Sequence, residues 1–478
     1  MFGGFSLSYT SDLKENERFF DQVFRVDKNF DLVKRPVFFA DKRAVLYFID
    51  GFVKDEIMEK ILEFLMKIKK DGMIVGMTDT KTFADAFIPY VEVDVTADTE
   101  EIITMVLSGA IALLIDGFPE AIIIDARTYP TRSIEEPDSD RVLRGSHDGF
   151  VETMVFNTAL LRRRIRDPRL IVEIVRVGKK SRTDIAICYL ESKADPSFVE
   201  KIKTKLNALT VDSLTLGQES LAEALIHQRW YNPFPKVRYT ERPDSAAASV
   251  YEGKILLMVD NSPSAMILPT SIFDFVQETD DFYFPPFTGT YLRLTRIVIF
   301  LLTIFLTPVW YLLIQNPSWI PPWLDFIKVA EPNTLPIIFQ LLLVELAIDG
   351  LKLASLNTPS PLASSFSVIG GLILGEFAVK AQWLVPEVIL YMAFVAIANF
   401  TQPSFELGYA FKFIRVFLLI AIAVFNLWGF IIGLVICILL VCFNKTVEGK
   451  SYLYPLLPFN GKEMKKMFIR KRLQGTDE

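Results

Sequence analysis

The sequence predicts a membrane protein in which two N-terminal α/β subdomains lead into a C-terminal transmembrane bundle of about six hydrophobic helices, or of four full spans plus a re-entrant pair. Three observations carry that expectation. Mean hydropathy is +0.32, and Lys, Arg, Asp and Glu make up only 23% of the 478 residues, a balance that soluble chains of this length rarely show. Charge is concentrated before Arg296 and after Asn444, with runs between them apolar enough to cross a bilayer. Ahead of that stretch, short apolar runs alternate with amphipathic segments, the rhythm of an α/β region.

Residues 1–34 are charged and Phe-dotted without a sustained period and read as an adaptable arm or short helix. From Ala44 to Ile49 an apolar run stops at Asp50-Gly51. Ile57, Ile61, Leu62, Leu65 and Ile68 then recur at helical spacing, giving strand, turn and helix. Ala110 to Ala126 holds two apolar runs around Asp116-Gly117-Phe118-Pro119-Glu120, the pattern of a hairpin, and Lys254 to Pro269 repeats it around Asp260-Asn261-Ser262-Pro263-Ser264. Between the hairpins the pattern gives a helix from Val151 to Arg166, strands at Leu170 to Val177 and Thr183 to Leu190, and helices near Ser197 to Ala208 and Leu221 to Arg229. Pro168 marks a boundary, so the subdomains are expected at 35–167 and 168–290, the membrane region at 291–444 and a basic tail at 445–478.

The first span is Ile297 to Ile314, 18 uncharged residues that make about 27 Å of helix. Asn316 to Asn333, with Trp319, Trp323 and four prolines, suits the headgroup level. Leu335 to Leu356 is the second span. Ser364 to Leu384 and Val388 to Phe400 follow, each either a full span or half of a re-entrant hairpin. Phe405 to Asn444 would be about 60 Å long as one helix, too long for a single crossing, so two helices meeting near Asn426 to Gly429 are expected. Arg293 and Arg296 precede the first span and a lysine- and arginine-rich tail follows the last. Positive charge marks the cytoplasmic side, so both ends belong there and the number of crossings is even: six, with four as the alternative. The N-terminal residues carry no basic and apolar leader, and the soluble region is expected in the cytoplasm.

A net charge of −6 argues against a nucleic-acid partner. Cys188 stands alone before the membrane region, with Cys437 and Cys442 inside an apolar run, so neither a disulfide framework nor a cysteine metal site is expected. His147 and His227 are the only histidines, and no nucleophile with its base can be named. No cofactor, metal or enzymatic activity is expected. Gly178-Lys179-Lys180-Ser181 lacks the earlier glycine of a phosphate loop, and Asp50, Asp116 and Asp260 are each followed by Gly or Asn, which marks tight turns rather than a metal site. The arginines Arg162, Arg163, Arg164, Arg166 and Arg169 gather at a helix end and suggest an interface, with anionic lipid or with another subunit.

Most informative are the charges among oily residues, each costing roughly 2.5–3.5 kcal/mol at a bilayer centre on insertion scales. Glu345, Asp349 and Lys352 recur at spacings that share one helix face, and Glu376 and Arg415 add two more. A water-lined pathway and structural salt bridges, Glu345 or Glu376 with Arg415 and Asp349 with Lys352, compete as readings. Gly371 with Gly375 and Gly429 with Gly433 each spell GxxxG, which permits close helix contact within or between subunits.

These residues then reach a known pattern. Ser133-Ile134-Glu135-Glu136-Pro137, Arg144-Gly145, Gly149-Phe150-Val151-Glu152, Asn157 and Leu161-Arg162-Arg163-Arg164-Ile165-Arg166 resemble the signature of GerA-type spore germinant receptor A subunits. Gly178, Thr183, Pro233-Phe234-Pro235, Thr240-Glu241-Arg242-Pro243-Asp244 and Gly253 extend the likeness, as do Ile369-Gly370-Gly371, Gly375, Pro386 and Tyr454-Pro455, so that it runs from about Phe30 to Arg470. Where receptor subunits carry Gly-Pro-Arg-Glu-Gly-Phe this chain has Gly145-Ser146-His147-Asp148-Gly149-Phe150, which looks more like the stage V sporulation protein AF branch. The resemblance implies an inner spore membrane location, a homo-oligomer, pentameric in that family, passage of monovalent cations during germination, and other germination membrane proteins or a small membrane protein as partners. Pore roles for Glu345, Asp349 and Glu376 follow as the expectation to test.

Overall fold

The computed structural model describes residues 9–469 except 54, 69–78, 89, 91, 128–145, 227–229, 276–277, 279, 331–334, 358–377 and 403. The chain divides into two compact units, Met1–His227 with Val237–Pro269, and Gln228–Lys236 with Thr270–Glu478.

The first unit begins with α1 (Leu13–Phe24), where Asp12 caps the helix by accepting from the amide of Lys14. Of the two readings of residues 1–34, an adaptable arm or a short helix, the helix is the one found, and it is a core helix. Phe20 and Phe24 are buried and stack on each other, and both rings lie within 6.0 Å of the Tyr47 ring. Phe19, Phe20, Val23 and Phe24 recur at helical spacing, and that apolar stripe needs a sheet to cover.

The sheet is built from β1 (Leu32–Phe39), β2 (Lys42–Ile49), β3 (Val93–Thr96), β4 (Ile111–Ile115) and β5 (Ala121–Ile124) in the order β1-β2-β4-β5-β3, every neighbour antiparallel. Ala40 and Asp41 both take positive φ, 47° and 62°, the two-residue turn that matches strand twist. Val45, Tyr47, Ala112, Leu114 and Ile123 face α1 and α4 (Thr99–Leu107), while Ala44, Leu46, Leu113, Ile122 and Ile124 face α2 (Asp55–Lys67) and α3 (Thr80–Phe87). Both faces are covered, which is why β4 and β5 read as continuous apolar runs rather than alternating ones.

The same plan recurs. After α5 (Met154–Arg164) come β6 (Leu170–Val177), β7 (Thr183–Leu190), α6 (Pro196–Ala208), α7 (Gln218–Leu225), β8 (Arg238–Thr240), α8 (Pro243–Tyr251), β9 (Ile255–Val259) and β10 (Ala265–Leu268). The strand order is β6-β7-β9-β10-β8, again wholly antiparallel. Phe150, Met154, Leu160, Leu161 and Ile165 share a core with β6, β7, β9 and β10. That places α5 with the second sheet, upstream of the break expected at Pro168.

The two aspartate turns do the same job in each half. Asp116 accepts from the Leu13 amide at 3.4 Å, and Asp260 from the Met154 amide at 3.2 Å. Gly117 N–H donates to Ser11 O and Asn261 N–H to Glu152 O, both at 2.9 Å. Asn16 exchanges two hydrogen bonds with the backbone of Thr10, and Asn157 two with that of Val151. Gly117 at φ 83° and Asn261 at φ 62° explain why Gly or Asn must follow each aspartate.

The second unit holds α9 (Asp280–Tyr283), α10 (Pro286–Gln315), 3₁₀ turns at Pro317–Trp319 and Pro322–Ile327, α11 (Ile337–Asn357), α12 (Ala378–Lys380), α13 (Pro386–Phe400), α14 (Phe405–Cys442) and α15 (Gly461–Phe468). Two of these, α10 and α14, are long and apolar enough to cross a membrane, while α11, with 21 residues, carries Glu345, Asp349 and Lys352. Asn426 breaks α14, with φ 49° and ψ −128°. Beyond it Gly429 lies so close to the preceding limb that a Cβ there would stand 1.9 Å from Ala421 O, and one on Gly433 would stand 3.0 Å from Leu418 Cδ2. Residues eight apart in a continuous helix are separated by about 12 Å, so α14 is a hairpin of two limbs, 405–425 and 427–442. Most of the stretch Ser364 to Leu384, with Gly371, Gly375 and Glu376, lies outside the described residues.

Candidate intramembrane charge site

Helix directions bring the charges together. Phe300 meets Phe411 with ring centroids 5.5 Å apart, and Asn316 exchanges side-chain hydrogen bonds with Asn426, so α10 and the first limb of α14 run parallel. On α11, Glu345 lies opposite Arg415 and Asp349 opposite Lys412, so α11 runs antiparallel to that limb. A carboxylate pair at i, i+4 on one helix thus faces a cation pair at i, i+3 on the other, in matching register.

Arg415 donates Nη2 to Glu345 Oε1 at 2.6 Å and Nη1 to the carbonyl of Thr303 on α10 at 2.9 Å. Lys412 Nζ is 3.8 Å from Glu345 Oε1 and bonds Asp349 directly. Glu345 is 7% exposed and Arg415 3%. A lone ion at such a site costs several kcal/mol to desolvate, and only a close partner offsets that. Two carboxylates and two cations cancel, and Lys352, half-buried with its ammonium 5.8 Å above the Tyr409 ring, leaves the group one positive charge in excess. Glu345 Oε2 and Arg415 Nε are buried and have no hydrogen-bond partner. Such atoms each cost on the order of 1–3 kcal/mol, so the junction of α10, α11 and α14 holds polar capacity it does not use.

Lys412 is the member that sequence reasoning missed. Its signal was present: a Lys-x-x-Arg pair inside an apolar run is the complement of Glu-x-x-x-Asp on another helix. Glu376 lies outside the described residues, and the pairing of Glu345 is with Arg415. Gly429 and Gly433 hold the two limbs of α14 together within one chain.

A second ionic cluster stands at the start of α10. Asp281 is fully buried, with Arg293 Nε at 3.1 Å and Arg296 Nη1 at 3.1 Å, and Arg296 Nη2 also reaches Glu278 at 2.7 Å. Arg293 Nη1 donates to the carbonyl of Met467 on α15 at 3.2 Å, fastening the last helix to the first long one.

The remaining residues singled out by sequence belong to the first unit. Glu136, Pro137, Arg144 and Gly145 fall outside the described residues. Gly149 and Phe150 are buried, and the Phe150 amide donates to Glu241 O at 2.7 Å. Glu152 has an exposed side chain and gives its carbonyl to the Asp260 turn.

The arginine cluster is not one exposed patch, which corrects the expected interface for Arg162. Arg162 is fully buried and bidentate to Asp31, at 2.9 and 3.0 Å, with Nη1 on Leu170 O. Arg164 clasps Asp148 at 2.6 and 2.7 Å, and Arg169 bonds Asp167. Only Arg163, Arg166 and Arg169 are exposed. The helix turns its cluster to three sides, and partners that sequence spacing could not reveal, Asp31 above all, draw Arg162 inward.

Residues 20–478 match the model of the family described as Bacillus/Clostridium GerA spore germination protein. Stage V sporulation protein AF of Bacillus subtilis (strain 168) is 37% identical over 469 residues, 97% of this chain and 93% of that protein. Spore germination protein GerLA of Bacillus cereus is 29% identical over 448 residues, covering 92% and 89%. Spore germination protein A1 of Bacillus subtilis (strain 168) is 27% identical over 440 residues, covering 91% and 89%. Among solved structures, the crystal structure of the N-terminal domain of the A subunit of the Bacillus megaterium spore germinant receptor GerK3 aligns with a TM-score of 0.42 at 22% identity, covering 55% of this chain and 97% of that one.

Proposed function

This chain belongs to the Bacillus/Clostridium GerA spore germination protein family, and from that premise we propose that it is an ion-conducting subunit of the inner spore membrane that releases monovalent cations during germination. The observation that carries the reading is the buried charge group of Glu345, Asp349, Lys412 and Arg415, with unsatisfied polar atoms on Glu345 and Arg415. Ionisable side chains inside a membrane segment mark ion pathways unless they serve packing alone, and an oily helix needs none of them to pack. In this reading the paired state is the closed one. Opening separates α11 from the first limb of α14 and exposes Glu345 and Asp349 to the conduction path, where carboxylates favour cations.

Topology supports the same reading. Five helical segments, α10, α11, α13 and the two limbs of α14, are present among the described residues, of which α10 and α14 are long and apolar enough to cross a membrane, and the Arg293–Met467 bond joins the two ends of the region. That is in keeping with an even count, and six is the number this reading takes. The soluble module and the basic tail lie on the spore core side. A ring of identical subunits, a pentamer by family, assembles through the soluble module and lines one pore, with membrane lipid and a small membrane protein as further partners.

The test is potassium flux from liposomes containing the purified chain. Glu345→Gln is expected to lower flux several-fold while leaving the oligomer intact, and unchanged flux in a folded oligomer would remove the pore role. The second reading is a receptor A subunit that passes on a ligand signal without conducting, and the complete neutralisation of Glu345 and Asp349 by Lys412 and Arg415 favours it. A tight wild-type liposome that stays tight with co-expressed membrane partners would select it.

A further inference from the structure

The segment after α14 is fastened at both ends and apolar in the middle. Tyr452 is fully buried, its hydroxyl donating to Pro235 O at 2.6 Å and its carbonyl accepting from Ile272 N at 3.0 Å. At the far end, Met467 O accepts from Arg293. Between these anchors the chain turns Leu456, Leu457 and Phe459 outward, 41%, 48% and 73% exposed. Burying a side chain is the ordinary fate of a phenylalanine, and this loop has two fixed ends that hold its apolar residues out.

Exposed lysines border that loop. Lys445 precedes it, and Lys462 and Lys465, at i, i+3 on α15, follow it. Asn460 caps α15 through the Glu463 amide, and the Arg293 bond sets α15 level with the start of α10, the helix that carries the first predicted span. An apolar loop flanked in sequence by exposed lysines, following the end of a membrane helix and bonded to the start of another, has the chemistry of an interfacial segment.

We propose that residues 445–465 form an anionic-phospholipid docking surface: Leu456, Leu457 and Phe459 enter the boundary between headgroups and acyl chains, and Lys445, Lys462 and Lys465 hold the phosphates. Apolar insertion alone would accept any lipid, whereas the lysines select an anionic one. Because the anchors on either side of it, Tyr452 and Met467, bond Pro235, Ile272 and Arg293, lipid binding steadies the helical turns that lead into α10.

The experiment uses the full chain with Cys188, Cys437 and Cys442 replaced by Ala and Phe459→Cys carrying a fluorescent label, reconstituted in vesicles of brominated phosphatidylcholine with or without phosphatidylglycerol. Quenching is expected in both, at least about twofold stronger with the anionic lipid, and Lys462→Glu with Lys465→Glu removes the difference. Lys462→Gln with Lys465→Gln gives the same direction if the reversed pair does not fold. An unquenched label shows that the loop is covered by another copy of the chain or by the protein itself and overturns the proposal. Equal quenching with and without phosphatidylglycerol overturns the lysine recognition. Neither result touches the flux assay, so this inference and the channel reading fail separately.

Discussion

Arg162 and Asp31, 131 positions apart, meet in the interior as a bidentate pair with neither side chain exposed. Removing one partner strands the other without its counter-charge, which costs about 3–5 kcal/mol. Arg162→Met should therefore lower the melting temperature of the chain sharply, and Arg162→Met with Asp31→Leu should recover most of the loss, both read by thermal unfolding. Asp148 behaves differently because it is only half-buried. Burial pushes its carboxyl up, but the hydrogen bonds from Arg164 and Ser146 outweigh burial and hold it below the ordinary carboxylate range. A depressed native pKa contributes stability above the unfolded value of about 3.9 and loses it as pH falls through the native one. Arg164→Met should accordingly cost stability at neutral pH and flatten the acid limb of a stability–pH profile; an unchanged limb would mean that Asp148 is not held by Arg164. The sequence named Arg162 and Arg164 as notable but misjudged their setting. A run of arginines states charge, while the direction of each side chain depends on acids elsewhere in the chain.

Among the elements, the hairpin of α14 rests on one glycine more than on the other. A side chain at Gly429 runs into the backbone of Ala421 at 1.9 Å, which cannot yield, whereas at Gly433 it meets the flexible end of Leu418 at 3.0 Å. Gly429→Leu should abolish the folded membrane region and Gly433→Ala should cost about 1–3 kcal/mol, checked by size-exclusion profile and unfolding in detergent. In the soluble module, Asp260→Ala removes the acceptor for the Met154 amide and is expected to cost about 0.5–2 kcal/mol, as other lost helix caps do. Asp116→Ala should match it, since Asp116 serves Leu13 in the same way. Long periodic or wholly apolar elements were legible in the sequence. The strands at 170–177 and 183–190, both aspartate hairpins and the break in α14 followed from period and turn chemistry. Short elements were not: β3 and β8 have four and three residues, too few for a period, and α1 hid its apolar stripe among charges because its other face is solvated. The pair of halves was visible only as two similar hairpins.

For the whole molecule, the six-pass reading gives a labelling pattern. A cysteine at Ser318, beyond the outer end of α10, should react with a membrane-impermeant maleimide from the side opposite to one at Lys462, on α15. Labelling of both from the same side of sealed vesicles would contradict an even count. Of the candidate site, sequence supplied Glu345, Asp349, Lys352 and Arg415, since charge in an oily run is conspicuous, and offered the Glu345–Arg415 pair as one of two readings, but it did not supply Lys412, which takes the place expected for Lys352 opposite Asp349 because α11 and α14 meet in register. The bond from Arg293 to Met467 spans 174 residues. A ribosome must therefore translate 174 residues beyond Arg293 before the first long helix acquires that contact, and a chain truncated before α15 would be inserted with the start of α10 left unfinished, a substrate for quality control rather than for assembly.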